Sequence, residues 1–249
     1  MKGCVVLVTG GSRGIGAETA VLAAEKGWDV VISYKSREDK AQAVIKQVEA
    51  LGQKGLAIKS DVADEAEVIA LFEQIDREFG RLDALVNNAG VLETSCKVVD
   101  MSVARLQRVF NVNIVGSFVC AQQAIKRMAL SNGGNGGSIV NLSSAAARLG
   151  SPNEFVDYAA SKGAIDTFTL GLSKEIAGDG IRVNAVRPGL ILTDIHADSG
   201  DADRPEKLKH GVPMQRSGSA REVATSIVWL MSDEASYVNG ALLDVTGGR

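Results

Sequence analysis

The segment Val5-Val6-Leu7-Val8-Thr9-Gly10-Gly11-Ser12-Arg13-Gly14-Ile15-Gly16 joins a short apolar run to a glycine-rich turn. Its first four residues are apolar and mostly β-branched, which predicts a buried parallel strand. A helix is predicted after the turn because Ile15, Thr19 and Leu22 recur at helical spacing. A strand, a glycine turn and a helix in this order indicate dinucleotide binding.

Three glycines of the turn have a predicted task. Gly10 makes the tight turn, Gly14 lets the backbone approach a pyrophosphate, and Gly16 lets the helix pack closely on the strand. The helix N-terminus would add free N–H groups and the positive end of its dipole. The spacing is Gly-x-x-x-Gly-x-Gly rather than Gly-x-Gly-x-x-Gly. The cofactor contacts predicted here are Gly10, Ser12, Arg13, Gly14, Ile15 and Gly16.

Strand-like and helix-like segments alternate along the rest of the chain. Further strands are predicted at residues 29–34, 55–58, 82–86, 138–142, 181–186 and 241–245. Further helices are predicted at about 37–51, 64–79, 101–127, 151–177 and 219–231. This order predicts one α/β domain over residues 1–249, a doubly wound Rossmann fold with a seven-stranded parallel sheet flanked by helices. Ligands of such sheets bind at the carboxyl ends of the strands.

Composition argues against several classes of protein. The formal net charge is -3, which provides no basic field for nucleic acid. No apolar run approaches the roughly 20 residues of a membrane span. The 3 cysteines are far apart and the 2 histidines have no metal-binding spacing, so neither disulfides nor a metal site is predicted. The chain opens directly on a strand without the regions of a signal peptide, which predicts a cytoplasmic location.

The end of the second strand bears on the choice of nicotinamide cofactor. A site that prefers NAD(H) needs a carboxylate there to accept from the ribose 2′-hydroxyl. This chain has Tyr34-Lys35-Ser36-Arg37 instead, with Arg13 in the glycine turn. Cations and a hydroxyl suit a 2′-phosphate, so NADP(H) is favoured over NAD(H). Lys35 and Arg37 would otherwise be ordinary solvated residues at the start of a helix.

The ends of the third and fourth strands carry further candidates. Asp61 could bond the adenine amino group or cap the next helix, and Val62 could cover the adenine ring. The fourth strand ends in Asn87-Asn88-Ala89-Gly90, whose small residues leave room for a ribose. Both asparagines could serve the cofactor or tie neighbouring strands together. Asn113 lies inside a long apolar helix, which suggests a held water or a backbone contact.

Tyr158 and Lys162 are predicted to share one face of a helix, because they are four residues apart. A fixed ammonium beside a phenol favours the phenolate and lowers the pKa of the phenol. The pair is therefore a candidate general acid/base. Ser151-Pro152-Asn153-Glu154 before it is typical of a capping box with proline at the first helical position.

Taken in order, these residues resemble the short-chain dehydrogenase/reductase family nearly end to end. The marks of the resemblance are Thr9-Gly10-x-x-x-Gly14-Ile15-Gly16, Asp61, Asn87-Asn88-Ala89-Gly90, Asn113, Ser144, Tyr158-x-x-x-Lys162 and Pro188-Gly189. The resemblance implies a catalytic set of Asn113, Ser144, Tyr158 and Lys162. Tyr158 would exchange a proton with the substrate oxygen, and Ser144 rather than Ser143 would hydrogen-bond that oxygen. Lys162 would hold the nicotinamide ribose and lower the pKa of Tyr158, and Asn113 would anchor a relay water.

The resemblance also implies contacts that the residues alone do not indicate. Pro188, Gly189, Ile191 and Thr193 would complete the cofactor site, with Ile191 and Thr193 on the carboxamide, and residues 194–212 would form a substrate lid. A homotetramer is implied. The expected function is an NADP(H)-dependent oxidoreductase acting on a small-molecule carbonyl or secondary alcohol. Within the family the sequence is similar to sugar-dehydrogenase-like and acyl-carrier-protein-reductase-like members. The alternative is a sensor or scaffold that binds NADP(H) without catalysis.

Overall fold

The computed structural model of the chain describes residues 3–193, 200–201 and 203–249. Within these ranges seven parallel strands form one sheet. They are β1 (Val5–Val8), β2 (Asp29–Tyr34), β3 (Gly55–Lys59), β4 (Ala84–Asn87), β5 (Gly137–Leu142), β6 (Ile181–Pro188) and β9 (Leu242–Val245). Two short strands, β7 (Ile191–Leu192) and β8 (Gly218–Ser219), pair with each other. The predicted fold class is confirmed.

Helices connect the strands and cover both faces of the sheet. They are α1 (Gly14–Glu25), α2 (Glu38–Ala50), α3 (Glu65–Phe79), α4 (Val103–Phe110), α5 (Gly116–Met128), α6 (Ala146–Leu149), α7 (Val156–Glu175), α8 (Arg204–Leu208) and α9 (Ala220–Met231). One apolar cluster packs α1, α2 and α9 on the sheet, and a second packs α3, α5 and α7 on its other face.

Strand β1 explains why the apolar run is unbroken. Val6 and Val8 belong to one cluster, whereas Val5 and Leu7 belong to the other. Successive side chains of a strand point to opposite faces, so a strand covered on both faces needs apolar residues at every position. Burying these side chains against helices on each face fixes β1 in the interior of the sheet, between β2 and β4.

The strand order β3-β2-β1-β4-β5-β6-β9 reverses direction at β1. A crevice opens beyond the carboxyl ends of β1 and β4 at such a switch point. Thr9 follows β1, and its hydroxyl oxygen accepts hydrogen bonds from the backbone N–H of Asn88 at 3.1 Å and of Ala89 at 3.0 Å. The two strand ends that border the crevice are therefore tied together.

The helix predicted at 101–127 differs from the observed one. Between α4 and α5 the chain passes through a π-helical turn, Asn111–Val115, which contains Asn113. Such a turn holds an extra residue within the helical ladder and often lies at a functional site. A pattern of 3.6 residues per turn carries no signal for that extra residue.

The capping box predicted at residues 151–154 is wrong. Ser151 and Asn153 have φ angles of 43° and 65°, and α7 begins only at Val156. The Glu154 carboxylate does not reach back to a cap; it accepts two hydrogen bonds from Arg204, at 2.7 and 2.6 Å. The Glu154 carboxylate thus pairs with Arg204, which is distant in sequence, instead of completing the predicted capping box.

The predicted lid at residues 194–212 is only partly described. Residues 194–199 and 202 lie outside the described ranges. The remainder includes α8 and a 3-10 turn, Lys209–Gly211. No helix in the described part of the chain is long and apolar enough to cross a membrane.

Candidate active site

A cleft of about 510 Å³ lies at the carboxyl ends of the central strands. Its walls come from the glycine turn, from the ends of β2, β3, β4 and β5, and from Lys162 on α7. Predicted cofactor residues that line it are Gly10, Ser12, Arg13, Gly14, Ile15, Tyr34, Lys35, Ser36, Asp61, Val62, Asn88, Ala89, Gly90, Lys162, Pro188 and Thr193. A cleft of this size is typical of small-molecule and cofactor sites.

The glycine turn has the geometry that a pyrophosphate needs. Gly10 and Gly14 have φ angles of +64° and +55°, which side-chain-bearing residues rarely adopt. Among the residues that the structure describes, a Cβ at Gly14 would come within 4 Å of the Thr193 side chain alone, at 3.5 Å. The N-cap residue Arg13 makes no side-chain capping hydrogen bond, and the first turn of α1 has no acidic residue. These features fit an anionic group at the helix N-terminus.

Four predicted cofactor residues do not line this cleft. Gly16 packs α1 on the strand end instead, since a Cβ there would lie 2.5 Å from Asn88 Nδ2 and 2.6 Å from the Gly10 carbonyl oxygen. A Cβ at Gly189 would likewise lie 2.7 Å from Thr246 Cα. Ile191 is buried and borders a separate cleft near the C-terminus, and Tyr158 is not among the residues that line the first cleft.

Asp61 and Lys35 form an ion pair in the wall of the cleft, just after β3 and β2, with 2.5 Å between Lys35 Nζ and a carboxylate oxygen. Burial opposes ionisation of Asp61, but hydrogen bonds from Lys35 and from the Ala63 backbone lower its pKa below the ordinary value. Asp61 does not cap the next helix, as one alternative predicted. Asp64 is the N-cap of α3 and accepts from two backbone N–H groups.

The two asparagines after β4 tie elements of the fold together. Asn87 Nδ2 donates to the Asn141 side chain at 3.0 Å and to the Ser117 carbonyl at 3.1 Å. Asn88 Nδ2 donates to the carbonyls of Thr9 and Gly10 at 2.8 and 3.1 Å. Asn88 also lines the cleft, so it holds the glycine turn in place from within the site.

Asn113 makes the backbone contact that its buried position predicts. Its Oδ1 accepts from the Val91 N–H at 2.8 Å, and its Nδ2 donates to the Val91 carbonyl and to Ser161 Oγ, each at 3.1 Å. A Cβ at Gly90 would lie 3.4 Å from Asn113 Oδ1 and 3.7 Å from Lys162 Nζ. The lack of a side chain at Gly90 therefore leaves space beside both groups. The π-helical turn thus brings Asn113 to the carboxyl end of β4.

The two adjacent serines after β5 have different partners. Ser143 is buried and its hydroxyl donates to the Lys162 carbonyl at 3.1 Å. Ser144 is partly exposed, its Oγ accepts from the Ala146 N–H at 3.1 Å, and its side chain acts to lower the pKa of the Tyr158 phenol. Ser143 is therefore bonded to the backbone of α7, whereas Ser144 acts on the candidate acid/base.

The surroundings of Tyr158 contradict the expectation that Lys162 lowers the pKa of its phenol. Although part of the Tyr158 surface stays accessible, protein atoms pack densely around the phenol, and this burial raises its pKa to about 12, while the Ser144 hydrogen bond acts to lower it. Lys162 does not lower this pKa here, because its ammonium lies 5.5 Å from the Tyr158 ring centre and donates to the Leu142 carbonyl at 2.6 Å. Burial lowers the pKa of Lys162 to about 8, against the opposing effect of Asp166.

Some residues of the cleft were missing from the predicted site. They are Ser33, Arg37, Ser60, Val91, Val112, Leu142 and Ser143. Most lie at or beside the ends of predicted strands, so the strand-end rule could have found them. Arg37 is one of the cations that suit a 2′-phosphate. Val112 reaches the cleft through a non-local contact, which no sequence pattern predicts.

The sheet order, the glycine turn and the cleft define a Rossmann-fold protein of the dinucleotide-binding type. A family model described as "Enoyl-(Acyl carrier protein) reductase" matches residues 10–249. The chain is 53% identical over 245 residues to "Uncharacterized oxidoreductase YgfF" of Escherichia coli (strain K12), with 98% of this chain and 99% of that protein covered. The chain belongs to the short-chain dehydrogenase/reductase family of oxidoreductases.

More distant relatives carry named activities. "L-rhamnose 1-dehydrogenase (NAD(P)(+))" of a Sphingomonas species is 37% identical, with 100% of this chain and 96% of that protein covered. "3-oxoacyl-[acyl-carrier-protein] reductase FabG" of Staphylococcus aureus is 36% identical, with 97% and 96% covered. A solved short-chain dehydrogenase of Burkholderia cenocepacia in complex with NADP superposes with a TM-score of 0.91 at 35% identity, with 99% of this chain and 98% of that chain covered.

Proposed function

We propose that this protein is an NADP(H)-dependent oxidoreductase that interconverts a carbonyl group and a secondary alcohol. One observation carries the proposal. The Tyr158 ring centre lies 5.5 Å from Lys162 Nζ, the Ser144 side chain acts to lower the pKa of the Tyr158 phenol, and Lys162 lines a cleft together with the glycine turn. A phenol, a hydroxyl donor and an ammonium in this arrangement serve proton transfer to an oxygen.

The protein's own residues would handle the proton. A bound nicotinamide supplies the hydride chemistry. With a pKa of about 12, Tyr158 is protonated at neutral pH and can donate to a carbonyl oxygen that Ser144 also holds. With a pKa of about 8, Lys162 is mostly charged at neutral pH, and its ammonium in the wall of the cleft would hold the nicotinamide ribose. Asn113 Oδ1 keeps an acceptor site besides Val91, which suits a water that returns the proton.

The preference for NADP(H) rests on the adenosine end of the cleft. Arg13, Lys35, Ser36 and Arg37 all line it there. Asp61 holds Lys35 at the cleft edge, where the ammonium can meet a 2′-phosphate. The complex of the Burkholderia relative with NADP supports the same cofactor for this chain.

We extend the proposal to the surroundings of the site. Residues 194–212 act as the substrate lid. The chain assembles as a homotetramer through α5 and α7, where Phe118 and Leu170 are exposed and the Phe118 and Phe168 rings stack with their centres 3.8 Å apart. Its three cysteines are unpaired thiols, which suits a reducing cytoplasmic location.

A substrate screen tests the proposed function. NADPH absorbance is followed with sugars and their lactones, diketones, quinones and 3-oxoacyl thioesters, and the same panel is repeated with NADH. We expect consumption of NADPH with one carbonyl class and slower reaction with NADH. Tight binding of NADPH without turnover of any carbonyl or alcohol would favour the non-catalytic sensor instead.

A further inference from the structure

A buried ion pair joins α4 to the first turn of the helix that carries Tyr158. Arg105 and Asp157 are both buried, with side-chain exposures of 9% and 1%. Arg105 Nε donates to one oxygen of Asp157 at 2.7 Å, and its Nη2 donates to the other oxygen at 3.2 Å. Asp157 directly precedes Tyr158. The Arg105 guanidinium therefore binds the first turn of α7 at the residue next to Tyr158.

The remaining nitrogen of the same guanidinium holds the segment at residues 91–97. Arg105 Nη1 donates to the Thr94 carbonyl at 2.5 Å and lies 3.0 Å from Cys96 Sγ. This segment follows Gly90, which lines the cleft. The Cys96 N–H also donates to the Glu154 carbonyl at 3.0 Å, so the segment lies against the start of α7.

The chemistry of this contact depends on arginine in particular. A planar guanidinium presents its donors in a fixed fork, so one side chain can meet a carboxylate and a carbonyl at set angles. A lysine offers one nitrogen and cannot span both partners. A buried ion pair is weak evidence for stability, since its desolvation cost rivals its attraction. Its position in the first turn of the helix that carries Tyr158 points instead to a role in positioning that helix.

We infer that Arg105 is a positioning residue: it fixes Tyr158 and the segment at residues 91–97 relative to each other, so that a substrate held by one meets the proton donor on the other. The inference rests on the proposed function. Arg105 lies outside the residues that line the cleft, so it acts through Asp157 and Thr94.

Arg105→Lys keeps the charge but loses the fork, and Arg81→Lys is its matched control. Arg81 makes the same two-point contact with Asp83, at 2.9 and 2.5 Å, just before β4 and thus at the opposite end of the strands from the cleft. We expect Arg105→Lys to lower kcat about 10- to 100-fold, because small misplacements of reacting groups cost this much. NADPH affinity should stay within about twofold.

The kinetic isotope effect separates positioning from loss of folded protein. With NADPH deuterated at the transferred position, misplacement slows the chemical step, so the isotope effect on kcat should rise in Arg105→Lys. A smaller fraction of folded enzyme would lower the rate and leave the isotope effect unchanged. An unchanged isotope effect, or an equal loss in Arg81→Lys, would overturn the inference.

Amide hydrogen exchange tests the inference without turnover. In Arg105→Lys we expect protection to fall about tenfold at residues 91–97 and 156–160, with the remaining amides unchanged. Unchanged protection there, or a uniform loss across the chain, would contradict a positioning role. If Arg105→Lys does not fold, Asp157→Asn removes the charge while keeping the shape and answers the same question. A wild-type protein without any turnover would refute the proposed function, whereas exchange would still decide the role of Arg105.

Discussion

Substituting Gly16 with alanine should break the junction between α1 and the glycine turn. An added Cβ would lie 2.5 Å from Asn88 Nδ2, 2.6 Å from the Gly10 carbonyl oxygen and 3.1 Å from Gly11 Cα. Two of these atoms are backbone and cannot rotate away. Asn88 is also fixed, because its Nδ2 already bonds the Thr9 and Gly10 carbonyls. The helix must therefore shift outward by a few tenths of an ångström or more.

Overpacking of this kind costs about 1–3 kcal/mol of unfolding free energy. For a chain of this length each kilocalorie moves Tm by about 2–4 °C, so Tm should fall by roughly 2–12 °C. NADPH binding should weaken in parallel, because the shifted helix N-terminus no longer meets the turn that cradles a pyrophosphate.

Urea unfolding and fluorescence titration with NADPH measure the two effects. Gly171→Ala is the control, since Gly171 lies within α7 and a Cβ there meets nothing within 4 Å. Helix propensity should make this control about 0.5–1 kcal/mol more stable. If Gly16→Ala unfolds at the same urea concentration as the wild type and binds NADPH equally well, the packing argument is refuted.

Two further perturbations test the cofactor site and its electrostatics. Lys35→Ala should weaken NADPH binding about tenfold and leave NADH binding unchanged, because it removes a charge-assisted contact to the 2′-phosphate. Lys46→Ala on α2 is the exposed control. An equal loss of affinity for both cofactors would contradict the assignment of Lys35 to the 2′-phosphate. The lowered pKa of Lys162, about 8 against an ordinary 10.5, predicts that stability rises with pH between these values, because the unfolded chain binds a proton that the native lysine has released. Lys162→Met should abolish that rise in urea titrations across the same range, and a rise that persists in the variant would assign it to another group.

Much of the fold could be predicted because its signals are local. The unbroken apolar run of β1 and the glycines beside it carry the burial and the backbone angles that the structure confirms. Strand ends located the cleft, since parallel strands bring their carboxyl ends to one edge. The order of strands and helices along the chain thus predicted a common site for residues as distant in sequence as Gly10 and Lys162, and both line the cleft.

The errors arose where distant residues decide local structure. Glu154 is recruited by Arg204, so the expected capping box did not form. Asn113 reaches across to Val91 within a π-helical turn that no periodic pattern marks. The pKa of Tyr158 depends on how densely protein surrounds it and on where the Lys162 ammonium points, and neither follows from four-residue spacing.

The assignment of Tyr158 as the proton donor is tested most directly by Tyr158→Phe, which removes one oxygen and keeps the ring. NADPH consumption with the best substrate of the screen and the Kd for NADPH are measured for both proteins. We expect kcat to fall by about 100-fold or more, the usual range for a general acid, while the Kd for NADPH stays nearly unchanged. Equal turnover by Tyr158→Phe and the wild type would show that Tyr158 is not the proton donor.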